Sequence, residues 1–589
     1  MSSQGFYPAL SPDKDTHSIR ILELDPLPAG LDQVEQEQPI PLTGTIRVVS
    51  LADRPVYTAL SYVWGDFDQN QKYTICCGDS TIEITRNCSD ALHALRRQFG
   101  KMGIWVDSIC IDQSNKTERN HQVQMMGEVY SHAKMVYVWL NFTRYTSHED
   151  RGAFKPLRRL AEDDSKSSKR WYGIQCVDTV NMYQIFKHEW FIRGWTLQEA
   201  ALAQNLTFVA VDDRISLNEI LPAIEHLRKV QNYHPGQNDL FHLTELRKMF
   251  TANGHPHLVP FDTGPIIQQM RRRRVSQNHD LAYAYYGLLK KAGAPLTEVD
   301  YTKRAGQILC DFFRDLVRWD RSFLALLEDA GTATPTWLPF QSGQQSSPQA
   351  GAEAISIATQ DGHKCLGRRE DMRRDTFTIR GHKLAVVAWS IPAKGPTGPG
   401  QINGSECVAA LRNCVFHFSR LHKSSVELSI DQIKKCLYEF VFSQRTWIGD
   451  QYFLPQSISL LLEHVFACSC EDKHKASYTC NMSCFTKEDI GSEILDWDQY
   501  HTSCRLLAAI LPVLEARTLL ITNDGGVGIG PALVEVGHEV CQIAGVPTPI
   551  ILSKEPSGAY KLIGPISLRY NKTKVQTLDE ATLERIDLV

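Results

Sequence analysis

The stretch Tyr57-Thr58-Ala59-Leu60-Ser61-Tyr62-Val63-Trp64-Gly65-Asp66 decides the fold class. Its run from Ala59 to Trp64 reads as a strand, and the turn pair Gly65-Asp66 stops it. Two later runs share its character. Ile104-Trp105-Val106 ends on Asp107, and Met135 to Leu140 is apolar at every position, as in a strand covered on both faces. Between them, Ser89 to Phe99 places Leu92, Leu95 and Phe99 on one helical face, and Val123, Met126, Tyr130 and Ala133 do the same for the next helix. Asn115 can cap that second helix while Glu118 reaches back to it, a capping-box pattern. Short apolar strands alternating with amphipathic helices predict an α/β domain built on a parallel sheet.

Working outward, residues 1–45 read as an N-terminal lead-in and residues 46–210 as the α/β domain, with the polar segment Arg144 to Glu189 inserted before Trp190 to Ala203. Residues 211–340 form a mainly helical extension. Tyr283, Tyr285, Tyr286, Leu288 and Leu289 give it more apolar surface than an exposed helix tolerates, so it is expected to pack on the α/β domain. Residues 341–375 read as a linker, since Gln341 to Ala354 is rich in Ser, Gln, Gly and Ala without an apolar period. Residues 376–589 read as an α+β, β-rich unit, with strands from Thr376 to Ile391 and Leu519 to Leu568 around a helical stretch. Its expected role is regulation or sensing. No repeat of fixed period is present.

At 589 residues the chain exceeds what one hydrophobic core supports. A net charge of −4 supplies no global field for nucleic acid, and the run Arg271 to Arg274 reads as a solvated face. Charged residues interrupt the first 30 positions as no signal peptide allows. The apolar run Leu506 to Leu514 contains Pro512 and is far shorter than the ~20 residues of a spanning helix. A cytoplasmic protein without a membrane span is the expectation, its 16 cysteines being thiols or metal ligands. Cys468, Cys470, His474, Cys480 and Cys484 are dense enough to hold zinc. Their C-x-C and C-x3-C spacings depart from paired C-x2-C knuckles, which makes ordinary thiols the default reading. Gly526 to Gly530 resembles a dinucleotide loop, but Pro531 follows and a turn explains it better.

Three ordered blocks carry a family resemblance. Tyr57 to Asp66 is similar to the opening signature of fungal heterokaryon incompatibility (HET) domains. Ile104 to Gln113, leading through Glu118-Arg119 to Gln122, Met126, Tyr130 and Ala133, resembles the second, and Trp190-Phe191-Ile192-Arg193-Gly194-Trp195-Thr196-Leu197-Gln198-Glu199 the third. His279 to Ala284 with Tyr286-Gly287-Leu288 resembles a further feature of long HET proteins, of no implied function. The resemblance implies a fungal non-self-recognition effector that triggers cell death, acting through protein partners or incompatible allelic products and as a homo-oligomer when active.

HET domains in turn resemble Toll/interleukin-1 receptor (TIR) domains, which implies a flavodoxin-like parallel sheet and, in many relatives, cleavage of NAD by one glutamate. The W-x-x-x-E form of Trp195 to Glu199 places that role on Glu199, with NAD as substrate. Tyr62, Trp64 and Trp195 are then candidates for stacking, Arg193 for the pyrophosphate, and Gly65, Asp66 and Asp107 for the strand ends where open α/β sheets bind ligands. Each residue also has a plainer reading: Trp195 as packing, Glu199 as a solvated helix carboxylate, Arg193 as an ion-pair partner and Asp107 as a turn cap. A non-enzymatic signalling adaptor on the same fold is the alternative function.

Overall fold

The structure, a computed structural model, describes residues 7–10, 17–28, 40–65, 71–78, 80–141, 152–162, 185–211, 213–229, 235–251, 263–329, 377–392, 517–524, 526–531, 533–546, 548–569 and 583–589. They fall into two units, residues 1–320 and 321–589.

The described residues of the first unit form nine strands: β1 (Ser18–Leu24), β2 (Leu42–Ser50), β3 (Thr58–Ser61), β4 (Tyr73–Cys77), β5 (Ser80–Ile84), β6 (Met102–Trp105), β7 (Met135–Trp139), β8 (Leu206–Val209) and β9 (Arg214–Ser216). Their order is β5-β4-β2-β1-β6-β3-β7-β8-β9. The three strands expected from sequence are neighbours, β6, β3 and β7 running parallel with β8 beside them. The sheet as a whole is mixed, not parallel as expected. β1 runs antiparallel to both β2 and β6, and β5 and β9 are antiparallel edges. β1 was hidden inside the presumed lead-in, yet it lies in the middle of the sheet. Arg20 interrupts its apolar pattern and explains the omission.

The helices of this unit are α1 (Arg86–Phe99), α2 (Asp107–Cys110), α3 (Lys116–His132), α4 (Lys155–Glu162), α5 (Thr196–Ala201), α6 (Leu217–Lys229), α7 (Pro235–Thr251), α8 (Gly264–Arg272), α9 (Asp280–Tyr283), α10 (Tyr286–Lys291) and α11 (Ala305–Trp319). Strand alternation divides the core. Leu60, Tyr62, Ile104, Tyr137 and Trp139 join Leu92 and Leu95 of α1 in one cluster. On the other face Trp105 meets Tyr130 of α3 edge-on, and α5 packs against β3 and α3. The Asn115 cap is present, its side chain accepting from the Glu118 N–H. The Glu118 carboxylate does not reach back to it. It is drawn instead to Arg20 and the Asp112 N–H, because a buried guanidinium is the stronger partner.

The helical extension packs on α3 through two glycines. A Cβ on Gly127 would stand 2.8 Å from the Gly287 Cα of α10. Backbone cannot yield as a flexible side chain would, so Gly127→Ala is expected to cost about 1–3 kcal/mol despite alanine's better helix propensity. Thermal unfolding checks this, and an unchanged or raised Tm would contradict the close crossing.

In the second unit β10 (Phe377–Pro392) is a long strand with register shifts, followed in the chain by the described strands β11 (Arg517–Thr522), β12 (Val527–Pro531), β13 (Glu539–Ile543), β14 (Ile550–Lys554), β15 (Tyr560–Pro565), β16 (Ser567–Arg569) and β17 (Glu584–Leu588). β10, β13, β14, β15 and β17 close into a ring, while β11, β12 and β16 extend from the other half of β10. Val527–Pro531 is thus a paired strand, not the turn expected there. The expected linker and the helical stretch between the β-rich segments lie outside the described residues, as do Asp66, Cys468, Cys470, His474, Cys480 and Cys484.

Candidate functional site

The parallel strands β3, β6 and β7 end together, and the chemistry gathers there. On β3, Leu60 and Tyr62 face the α1 cluster, which turns Ser61 toward α5. The Ser61 hydroxyl donates to Glu199 Oε2 at 2.5 Å, and the Trp190 indole N–H donates to the same hydroxyl oxygen at 2.8 Å. A serine filled from both sides in this way holds one rotamer and fixes the carboxyl it serves.

Glu199 is 4% exposed. Burial pushes its pKa up to about 8, Asp107 adds to the rise, and the Ser61 bond, Arg193 and Arg273 act against it. Tyr130 also faces the carboxyl from α3. The resting group is therefore largely a protonated acid at neutral pH. It is not the solvated helix carboxylate of the plainer sequence reading.

Asp107 opens α2, one residue beyond β6. It accepts from the Trp64 indole N–H at 2.8 Å and from the Ser108 N–H at 2.7 Å. Burial raises its pKa and Arg193 opposes that. Arg193 donates to the Tyr62 carbonyl at 3.3 Å and lies 5.9 Å from the Trp64 ring centroid. Gly65 takes a φ of 69°, the left-handed turn by which the chain leaves β3. Asn87 braces this exit, donating to the Val63 carbonyl at 2.5 Å and accepting from the Trp139 indole at 2.8 Å.

The structure brings together Glu199, Asp107, Arg193, Trp64 and Gly65 at the strand ends. It does not bring Tyr62 or Trp195 to them as stacking surfaces. Tyr62 is buried on the opposite face from Glu199, its hydroxyl bonded to Ser108 Oγ at 2.8 Å. Trp195 points its indole N–H at Asp280, 3.1 Å away. Ser61, Trp190, Asn87 and Arg273 were not singled out from sequence. Period-two alternation along β3 was the available signal for Ser61, whereas Arg273 lies some 70 residues from Glu199 in a run that reads as solvated. No cluster of three or more metal-ligating side chains occurs among the described residues.

The raised Glu199 pKa carries a sign. The folded state holds a proton that the unfolded carboxyl, near 4.5, releases, so this contribution to stability is complete below about 4.5 and is lost as pH rises through about 8. Glu199→Gln should flatten the pH dependence of the unfolding midpoint across that window. Parallel curves for the two proteins would contradict the burial account.

Residues 57–199 match the family model described as heterokaryon incompatibility protein (HET). The chain is also similar to heterokaryon incompatibility protein 6, OR allele, of Neurospora crassa, 26% identical over 235 residues that make up 33% of this chain and 33% of that protein. Vegetative incompatibility protein HET-E-1 of Podospora anserina is 26% identical over 244 residues, 40% of this chain and 14% of that protein. Both relatives extend well beyond the shared region. No solved structure matches. No helix among the described residues is long and apolar enough to cross a membrane. The residues that assemble the strand-end cluster, from Ser61 through Asp107 to Glu199, all lie inside the matched segment, and the chain carries a heterokaryon incompatibility domain over residues 57–199.

Proposed function

We propose that this chain acts in fungal heterokaryon incompatibility as a cell-death effector, and that Glu199 is its reactive carboxylate, directed at NAD. The observation that carries the reading is the position of Glu199: a buried carboxyl with a strongly raised pKa, beside Arg193 and Asp107, at the carboxyl ends of three parallel strands. Perturbed acids at strand ends are where α/β sheets place chemistry. In the reaction the bond between nicotinamide and ribose C1′ breaks, neutral nicotinamide leaves with the bonding pair, and water adds to C1′ with release of a proton. Ionised Glu199 opposite the ribosyl cation stabilises the transition state, and the Arg193 fork suits the pyrophosphate.

The resting domain keeps Glu199 covered, so the reading requires α5 to open. Association of several copies, prompted by a protein partner or an incompatible allelic product, is the proposed trigger. The same burial favours a second reading, in which Glu199 is a structural acid and the domain signals as an adaptor. Expression of the full chain in a fungal host tests the shared part. Growth arrest is expected, and full tolerance at good protein levels would overturn the effector role.

A further inference from the structure

We propose that the segment from Arg273 to Tyr301, outside the matched HET segment, is the positioning half of the Glu199 site: it clasps the turn from Arg193 to Glu199, with Asp280 and Arg273 as positioning residues. The inference rests on Glu199 being the group that matters, as proposed above. α5 has only six residues and no side-chain cap of its own, its N-cap position being Trp195 in helical conformation. Such a short helix does not hold itself in place. Its grip comes from the extension.

Five hydrogen bonds supply that grip. Arg273 donates through Nη1 to the Arg193 carbonyl and to Thr196 Oγ1, both at 2.8 Å, and its Nε is held by Gln269 at 2.7 Å. The Gly194 N–H donates to the Arg274 carbonyl at 2.7 Å, and a Cβ on Gly194 would stand 2.7 Å from a Val275 methyl. Asp280 accepts the Trp195 indole on one oxygen and the Tyr301 hydroxyl, at 2.7 Å, on the other. Tyr301 is in turn covered by the Arg119 guanidinium at 3.8 Å and donates its N–H to Asn120, which ties the clasp to α3. Gln198, beside Glu199, accepts from the Gly287 N–H at 3.1 Å. Every residue from Arg193 to Gln198 except Leu197 thereby has a partner or a close packing neighbour in residues 269–287. The clasp also explains why Trp195 is absent from the strand-end cluster.

The test reads Glu199 without requiring turnover. Full-length protein is unfolded thermally across about pH 5 to 9, with and without Glu199→Gln, and the difference between the two curves reports the ionisation of Glu199. In wild type the difference should fall steadily as pH rises and level off near 8, the pKa in the folded state. Asp280 is not among the leading charges that act on Glu199. Asp280→Asn should nevertheless move that levelling point by about one unit toward the ordinary carboxyl range, because a loosened α5 readmits water. Trp195→Phe, which removes the same hydrogen bond from its other end, should give the same shift and serves if the first variant fails to fold. An equal loss of stability at every pH with the levelling point unmoved in both variants would overturn the proposal. A shifted levelling point in a chain that never consumes NAD would keep the clasp and sink only the NAD reading.

Discussion

Glu199→Gln is expected to lower nicotinamide release from NAD by roughly 10²–10⁴-fold when the full chain is clustered on an oligomeric scaffold, with the fold retained. The amide keeps the shape and can still accept from Ser61, so the Trp190–Ser61 arrangement survives. What it cannot do is ionise. Turnover within a few-fold of wild type in the variant would remove Glu199 from the chemistry.

The second large effect is on stability. Arg20 is 1% exposed in an interior strand of the sheet, yet its guanidinium is met on every side: Glu118 takes both its terminal nitrogens at 2.6 and 3.0 Å, the Cys110 carbonyl accepts at 3.2 Å and the Pro8 carbonyl takes Nε at 2.9 Å. Tyr7 lies 4.7 Å away over the guanidinium. Arg20→Met strands the Glu118 carboxylate in a largely buried site, and removing one partner of such a pair costs about 3–5 kcal/mol. At about 2–4 °C per kcal/mol for a unit of this size, the loss is readily seen in thermal unfolding. Adding Glu118→Gln should recover part of it, since the stranded charge is gone. A single variant that costs under about 1 kcal/mol, or a double variant no better than the single, would show that the pair is not the pin between β1 and α3.

What was legible in the sequence follows from the physics of each residue. β3, β6 and β7 lie in short, largely apolar runs and were readable as central strands. β1 was not, because Arg20 and Glu23 disguise it and only the fold supplies the partner that lets a guanidinium lie buried. α1 and α3 were readable from apolar period, but the destination of the Glu118 carboxylate was not, since a local cap and a distant guanidinium look alike in one dimension. At the site, Glu199, Asp107, Arg193 and Trp64 were found by motif. Tyr62 and Trp195 were placed beside them by the same motifs and are directed elsewhere, one by the strand's alternation and one by Asp280, 85 residues away. Contacts that span such distances leave no periodic mark.

The most direct test of the central claim measures NAD and survival in the same fungal cells expressing the full chain, wild type or Glu199→Gln at matched levels. The account predicts that wild type depletes NAD before growth stops and that the variant does neither. Cells that die equally under both proteins with NAD intact would contradict it and leave the adaptor reading in its place.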